Sequence, residues 1–230
     1  MVACSAVPKQ VTLDSLQARC AAVNLDILGA FHPEPEDLAP ENCGTLVLLG
    51  PKEPSFWDVF TTSPEWQDNA ADPMDRWSTR VIAALAQQVG AIPLFPFGGP
   101  PYQPFFRWAL ASGQAWQSPV SLLIHAQAGL MVSYRGALAL PDRLELPTQP
   151  PKPCDSCVNK PCLTACPSQA LTHAGYDVPK CHAFLDTDDG QAHLTKGCNV
   201  RRACPLSQSY GRVEEQSAYH MSIFHKGATA

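Results

Sequence analysis

Seven of the chain's ten cysteines fall in its last third, spaced as Cys154-x2-Cys157-x4-Cys162-x3-Cys166-Pro167, then Cys181, then Cys198-x5-Cys204-Pro205. Thiolates are soft ligands, and cysteines clustered in this way point to a zinc or iron–sulfur site. Structural zinc commonly takes two C-x2-C knuckles separated by a longer stretch. Here a single knuckle is followed by lone cysteines, and each group closes on a Cys-Pro step. That pattern favours iron–sulfur over zinc. The proline stops a helix from running on and turns the chain away behind the ligand.

The comparison that sharpens this is with bacterial two-cluster ferredoxins, which carry C-x2-C-x2-C-x3-C-P. Three of those thiolates hold one [4Fe–4S] cluster and the fourth reaches across to the other. A faint internal repeat supports the likeness, because LTACPSQAL (163–171) and RRACPLSQS (201–209) share an Ala-Cys-Pro core. By that logic Cys154, Cys157 and Cys162 pair with Cys204, and the spacer between Cys157 and Cys162 is two residues longer than usual. Cys166, Cys181 and Cys198 are left as a second set of three. That set makes a [3Fe–4S] centre, a cube completed by a group such as His182 or His193, or no centre at all. Lys196, Arg201 and Arg202 flank the last two cysteines, either as a solvated loop or as positive charge that raises a cluster's potential and docks an acidic redox partner.

Composition sets the context. A formal net charge of −5 and a pI near 5.7 give nucleic acid no basic face, so DNA is not an expected partner. The start, MVACSAVPKQVTLDS, lacks a basic stretch followed by an apolar run, and no segment approaches the roughly 20 apolar residues of a membrane helix. A cytoplasmic protein without membrane contact is the expectation. Cys4, Cys20 and Cys43 stand at no ligand spacing and read as plain buried or surface thiols.

The elements that must position these cysteines follow from periodicity. Prolines at 147, 150, 151 and 153 mark a linker, which divides an α/β domain (1–146) from an iron–sulfur domain (147–230). Before it, residues 12–23 have helical spacing, and residues 25–31 and 44–50 are apolar runs suited to buried strands. Asp72 reads as the N-cap of a helix that Pro73 opens and Gly90 closes, with Met74, Trp77, Val81, Leu85 and Val89 on its apolar face. IPLFPF reads as a strand, GGPPYQP as a loop, and 105–111 as a short helix. Residues 120–124 and 130–140 read as a strand pair joined by a turn at 127–129. The expected class is α/β or α+β, a sheet with helices against it.

The order of parts resembles epoxyqueuosine reductase, a cobalamin-dependent iron–sulfur enzyme, on the stretches PCDSCVNKPCLTACPSQAL, KCHAFL and GCNVRRACP. In that family a domain related to the flavin nitroreductase fold precedes a ferredoxin-like module. The family's last group has one more cysteine, and Val200 and Arg201 occupy its neighbourhood here. The N-terminal half is similar to the cobalamin-processing CblC proteins, on LGAFHPEPEDL, GTLVLLGPKEPSFWDVF, DPMDRWSTRVI and LLIHAQAGLMVSYRGALALP. Their IHPxxGxxxxxRG pattern maps onto Ile124, His125, Gly129, Arg135 and Gly136, with Ala126 in place of the proline.

These resemblances imply a nitroreductase-like sheet domain followed by a ferredoxin-like one, able to hold a corrinoid or flavin. The cofactor would sit in a cavity between IPLFPFGGPPY and LLIHAQAG. Candidate cofactor-binding residues are Gly98 and Gly99, where backbone can approach a flat ring, with Tyr102, His125 and Arg135. Where the reductases carry a catalytic aspartate after the strand matching IPLFPF, this chain has Gly98, Gly99, Pro100 and Pro101, so tRNA is not an expected substrate. Two functions therefore stand side by side. One is a ferredoxin-like electron carrier with a redox partner protein. The other is a reductase whose cluster feeds a cobalamin or flavin held by the N-terminal domain.

Overall fold

The computed structural model describes residues 11–226. Cys4 lies outside the described residues. Helix α1 (Leu13–Ala22) starts at a capping box, in which the Thr12 hydroxyl accepts from the Ser15 amide at 3.2 Å and the Ser15 hydroxyl accepts from the Thr12 amide at 3.0 Å. Strands β1 (Leu25–Phe31) and β2 (Thr45–Pro51) are the two apolar runs. Short helices α2 (Phe56–Thr61) and α3 (Pro64–Gln67) then lead to α4 (Pro73–Val89). After it come β3 (Ile92–Leu94), α5 (Phe105–Ala111), β4 (Ala115–Gln117), β5 (Leu123–His125) and β6 (Gly136–Leu140).

Four of these strands form an antiparallel sheet in the order β1-β2-β6-β3. Every residue of β2 is buried because both faces are covered. Val47 and Leu49 meet Leu16, Phe56, Phe60 and Trp77 on one side, while Leu46 and Leu48 meet Phe105 and Trp108 on the other. A sheet helix-covered on both faces explains why the strand reads as a continuous apolar run. The chain is a mixed α/β protein built on small antiparallel sheets.

Two local expectations are corrected. Residues 120–124 and 130–140 do not pair with each other. β5 pairs with β4, and β6 joins the main sheet between β2 and β3. The turn after β5 closes on itself through the His125–Gly129 bridge, which frees the chain to cross to the larger sheet. Asp72 does occupy the N-cap of α4, but at φ 51° its side chain makes no capping bond. Pro73 in the first turn supplies the preset backbone there, and Gly90 closes the helix in the left-handed region at φ 67°.

The proline stretch forms a strap whose residues 146–150 border a cavity of the N-terminal half, and it starts just after the buried Leu144. The Leu144 amide donates to the Thr45 hydroxyl at 2.8 Å, and its carbonyl accepts from His32 Nε2 at 2.9 Å. Beyond the strap come α6 (Pro153–Ser156), a ribbon of β7 (Leu171–Thr172) and β8 (Gly175–Tyr176), and α7 (Val178–Leu185). They are followed by α8 (Gln191–Lys196), α9 (Asn199–Ala203), α10 (Pro205–Ser209) and α11 (Glu214–Lys226). The last helix returns to the N-terminal half. There the Tyr219 ring lies 5.6, 6.1 and 5.5 Å from those of Trp57, Phe60 and Trp66. Tyr210 also donates to the Pro51 carbonyl at 3.0 Å, and Arg212 meets Glu53 at 3.4 Å with both side chains buried. No helix among the described residues is long and apolar enough to cross a membrane.

Candidate metal centres

Cys154 sits in α6, Cys157 just past it, Cys162 in a single 3₁₀ turn (Pro161–Leu163), and Cys204 between α9 and α10. Pro205 both ends α9 and takes the first position of α10, so Cys204 is the extended residue between two helices. These four cysteines border one cavity of about 480 Å³. Its remaining wall is largely apolar, with Pro119, Ile124 and Leu130 from the N-terminal half and Leu206 from α10. Cys154, Cys162 and Cys204 are buried in a hydrophobic core with Val120, Ile124 and Leu130, while Cys157 is half-buried.

Electrostatics ties the group together. Burial pushes the Cys154 thiol up, Lys152 pulls it down, and Cys162, Cys204 and Cys157 push it further up. Cys162 is raised by burial and then by Cys204 and Cys157. Thiols raised in this way, Cys154 and Cys162, gain from a shared cationic centre, which favours thiolates outright. Four zinc-bound sulfurs would stand within about 4 Å of one another. Here the four residues surround a cavity of about 480 Å³ whose remaining wall is mostly apolar. The donor set fits an iron–sulfur cluster.

The other three cysteines also meet. Cys166, Cys181 and Cys198 border a cavity of about 30 Å³ that His193 borders too. Leu171, Cys181, Cys198 and Met221 form its common wall with a cavity of about 220 Å³. Burial raises the Cys181 thiol, the Tyr176 hydroxyl lowers it, and Cys198 and Cys166 raise it again. Burial opposes ionisation of Cys166, but the Ser168 hydroxyl and the amides of Leu171, Ala170 and Ser168 outweigh it, and the thiol is lowered. Cys20 and Cys43 stand apart. Cys20 is fully buried, and burial together with Asp26 pushes it up to about 12, an inert core thiol.

The N-terminal candidates do not converge. Gly98 is exposed in the left-handed region at φ 82°, and Tyr102 is 66% exposed beside Gly99. Arg135 is buried and spent within the protein. It pairs with Asp75 of α4, donates to the Ser78 hydroxyl at 3.1 Å, and lies 5.6 Å over the Phe97 ring. Both ring nitrogens of His125 serve the backbone. Nε2 donates to the Leu28 carbonyl at 3.1 Å, and Nδ1 accepts from the amides of Gln127 and Ala128 at 3.1 and 3.2 Å.

The cavity that His125 borders differs from the expected one. It measures about 890 Å³ and is walled by β1, the end of α5, the turn after β5 and the proline strap rather than by the GGPPY loop. Gly29, at the β1 bulge, has no room for a side chain there, since an added Cβ would meet the Ser112 hydroxyl at 2.7 Å.

Residues that cysteine spacing could not single out complete the first site. Gly129, at φ 56°, packs on the Ser207 amide so tightly that a Cβ would come within 2.5 Å. The Leu130 amide donates to the Ser207 hydroxyl at 2.9 Å, and Arg201 donates to the Leu130 carbonyl. Arg202 is taken up by the Gly197 carbonyl at 3.2 Å and the Asn199 side chain, leaving Lys196 exposed. No protein-family model, curated protein or solved structure matches this chain.

Proposed function

We propose that this chain is a ferredoxin-like electron-transfer protein in which Cys154, Cys157, Cys162 and Cys204 hold a [4Fe–4S] cluster. The observation that carries the reading is the meeting of four cysteines from segments about 40 residues apart around one apolar cavity. When bound, such a cluster takes up and releases one electron at a time. Ile124, Leu130 and Leu206 would shield one side of a bound cluster from water and lower the local dielectric around it. Val158, next to Cys157, is 93% exposed, and Leu163, next to Cys162, is 41% exposed. This apolar edge beside two ligands offers a redox partner protein a short approach. Anaerobic analysis should find about four iron and four acid-labile sulfide per chain, or more. Stoichiometric zinc without sulfide refutes the reading.

A second reading is favoured by one feature of β5. Ile124 borders the cysteine-lined cavity and His125 borders the 890 Å³ cavity, their Cα atoms one peptide (about 3.8 Å) apart. A cavity of this size falls in the range that takes small cofactors. In this reading the N-terminal half, resembling the epoxyqueuosine reductase and CblC proteins, holds a cobalamin or flavin there, and the chain is a reductase. Titration with each cofactor decides it. Binding tighter than about 100 μM, roughly −5.5 kcal/mol, supports the reductase, and weaker binding of both leaves the electron carrier.

A further inference from the structure

The three cysteines left over from the first site have a fourth neighbour of ligand type. His193, on α8, borders the same small cavity as Cys166, Cys181 and Cys198. His182, on α7, is engaged elsewhere. Its ring stacks on Phe224 with centroids 4.5 Å apart, and its Nδ1 lies 3.0 Å from Nδ1 of His225. Arg201, near the position where a fourth thiolate is missing, has no lone pair to give, and its guanidinium is turned to the Leu130 carbonyl. Imidazole nitrogen is an established substitute for thiolate on iron in iron–sulfur centres.

We propose that His193 is the fourth protein ligand of a second iron–sulfur centre, whose other three are Cys166, Cys181 and Cys198. The inference rests on the iron–sulfur reading of the module. The four residues line one small cavity, and two of them, Cys181 and Cys198, also border the neighbouring cavity of about 220 Å³. A neutral imidazole brings no charge where a thiolate brings one negative charge. The centre is then one unit less negative than an all-cysteine cluster and easier to reduce, the direction in which histidine ligation moves Rieske centres. Tyr176 borders the 220 Å³ cavity together with Cys181 and Cys198.

The test uses the full chain, prepared anaerobically, as wild type and as His193→Ala, His193→Cys and His182→Ala. Wild type is expected to contain about eight iron per chain, with nitrogen hyperfine coupling on one of two reduced centres in pulsed electron paramagnetic resonance. His193→Ala should lose about one iron and show the signal of an oxidised [3Fe–4S] centre. His193→Cys should restore the four-iron centre at a lower potential, without the nitrogen coupling, and His182→Ala should match wild type. A wild type without nitrogen coupling overturns the proposal, as does a His193→Ala protein with unchanged iron and signals. About four iron and a single centre in wild type removes the second centre while the first stands, and a chain with no iron removes the reading beneath both.

Discussion

Replacing His125 by leucine tests whether this histidine belongs to the fold or to a ligand. Its three hydrogen bonds, to the Leu28 carbonyl and from the Gln127 and Ala128 amides, tie the turn after β5 to the bulge in β1. Burial pushes its pKa down from 6.5 to about 4, against a smaller upward pull from the Leu28 carbonyl. The folded chain therefore keeps the ring neutral between about pH 4 and pH 6.5, where the unfolded chain protonates it. Stability from the neutral ring is complete above the unfolded value and is lost as pH falls through that window. The displacement corresponds to about 3 kcal/mol. Leucine removes the three bonds and leaves their partners unpaired, at about 1–3 kcal/mol for each that water cannot reach. Urea unfolding followed by tryptophan fluorescence should show wild type more stable by roughly 3 kcal/mol near pH 7. That gap should close by about 3 kcal/mol as pH falls toward 4, because the leucine variant has nothing to protonate at this position. A gap that is constant over the range, or that widens on acidification, refutes the neutral, backbone-bound histidine.

Cys204→Ser should remove about four iron and four sulfide per chain, whereas Cys20→Ser should leave both unchanged; equal iron in the two variants refutes the assignment of Cys204. Gly129→Ala forces a Cβ to within 2.5 Å of the Ser207 amide at φ 56°. It should cost about 1–2 kcal/mol and speed cluster loss, read as bleaching of the visible absorbance in air, and wild-type bleaching kinetics would contradict the packing. Tyr219→Ala takes one ring out of the cluster with Trp57, Phe60 and Trp66. A loss of roughly 2–3 kcal/mol in a single unfolding transition is expected, and an N-terminal transition that does not move would show that α11 does not stabilise that half.

Helix α4 and strand β2 were legible because local sequence dictates them. Proline and glycine bracket one, and an unbroken apolar run, buried on both faces, makes the other. The grouping of the cysteines was legible too, since a Cys-Pro step and a pseudo-repeat are short-range signals. What α11 and the proline strap do was not. Tyr219 meets Trp57 across some 160 residues of chain, and nothing near either residue announces the other. The misread pairing of 120–124 with 130–140 has the same origin, because an apolar strand segment carries no mark of which sheet it will join, and the main sheet had an open edge on β2. Apolar pattern and cysteine spacing by themselves determined that the chain folds around a covered sheet and carries two sets of thiols. Only the tertiary structure decided that Ile124 and Leu130 wall the first set, that His193 rather than His182 faces the second, and that His125 and Arg135 are consumed by the fold. Those outcomes depend on contacts between distant segments, whose free energy is realised only when the whole core closes around them.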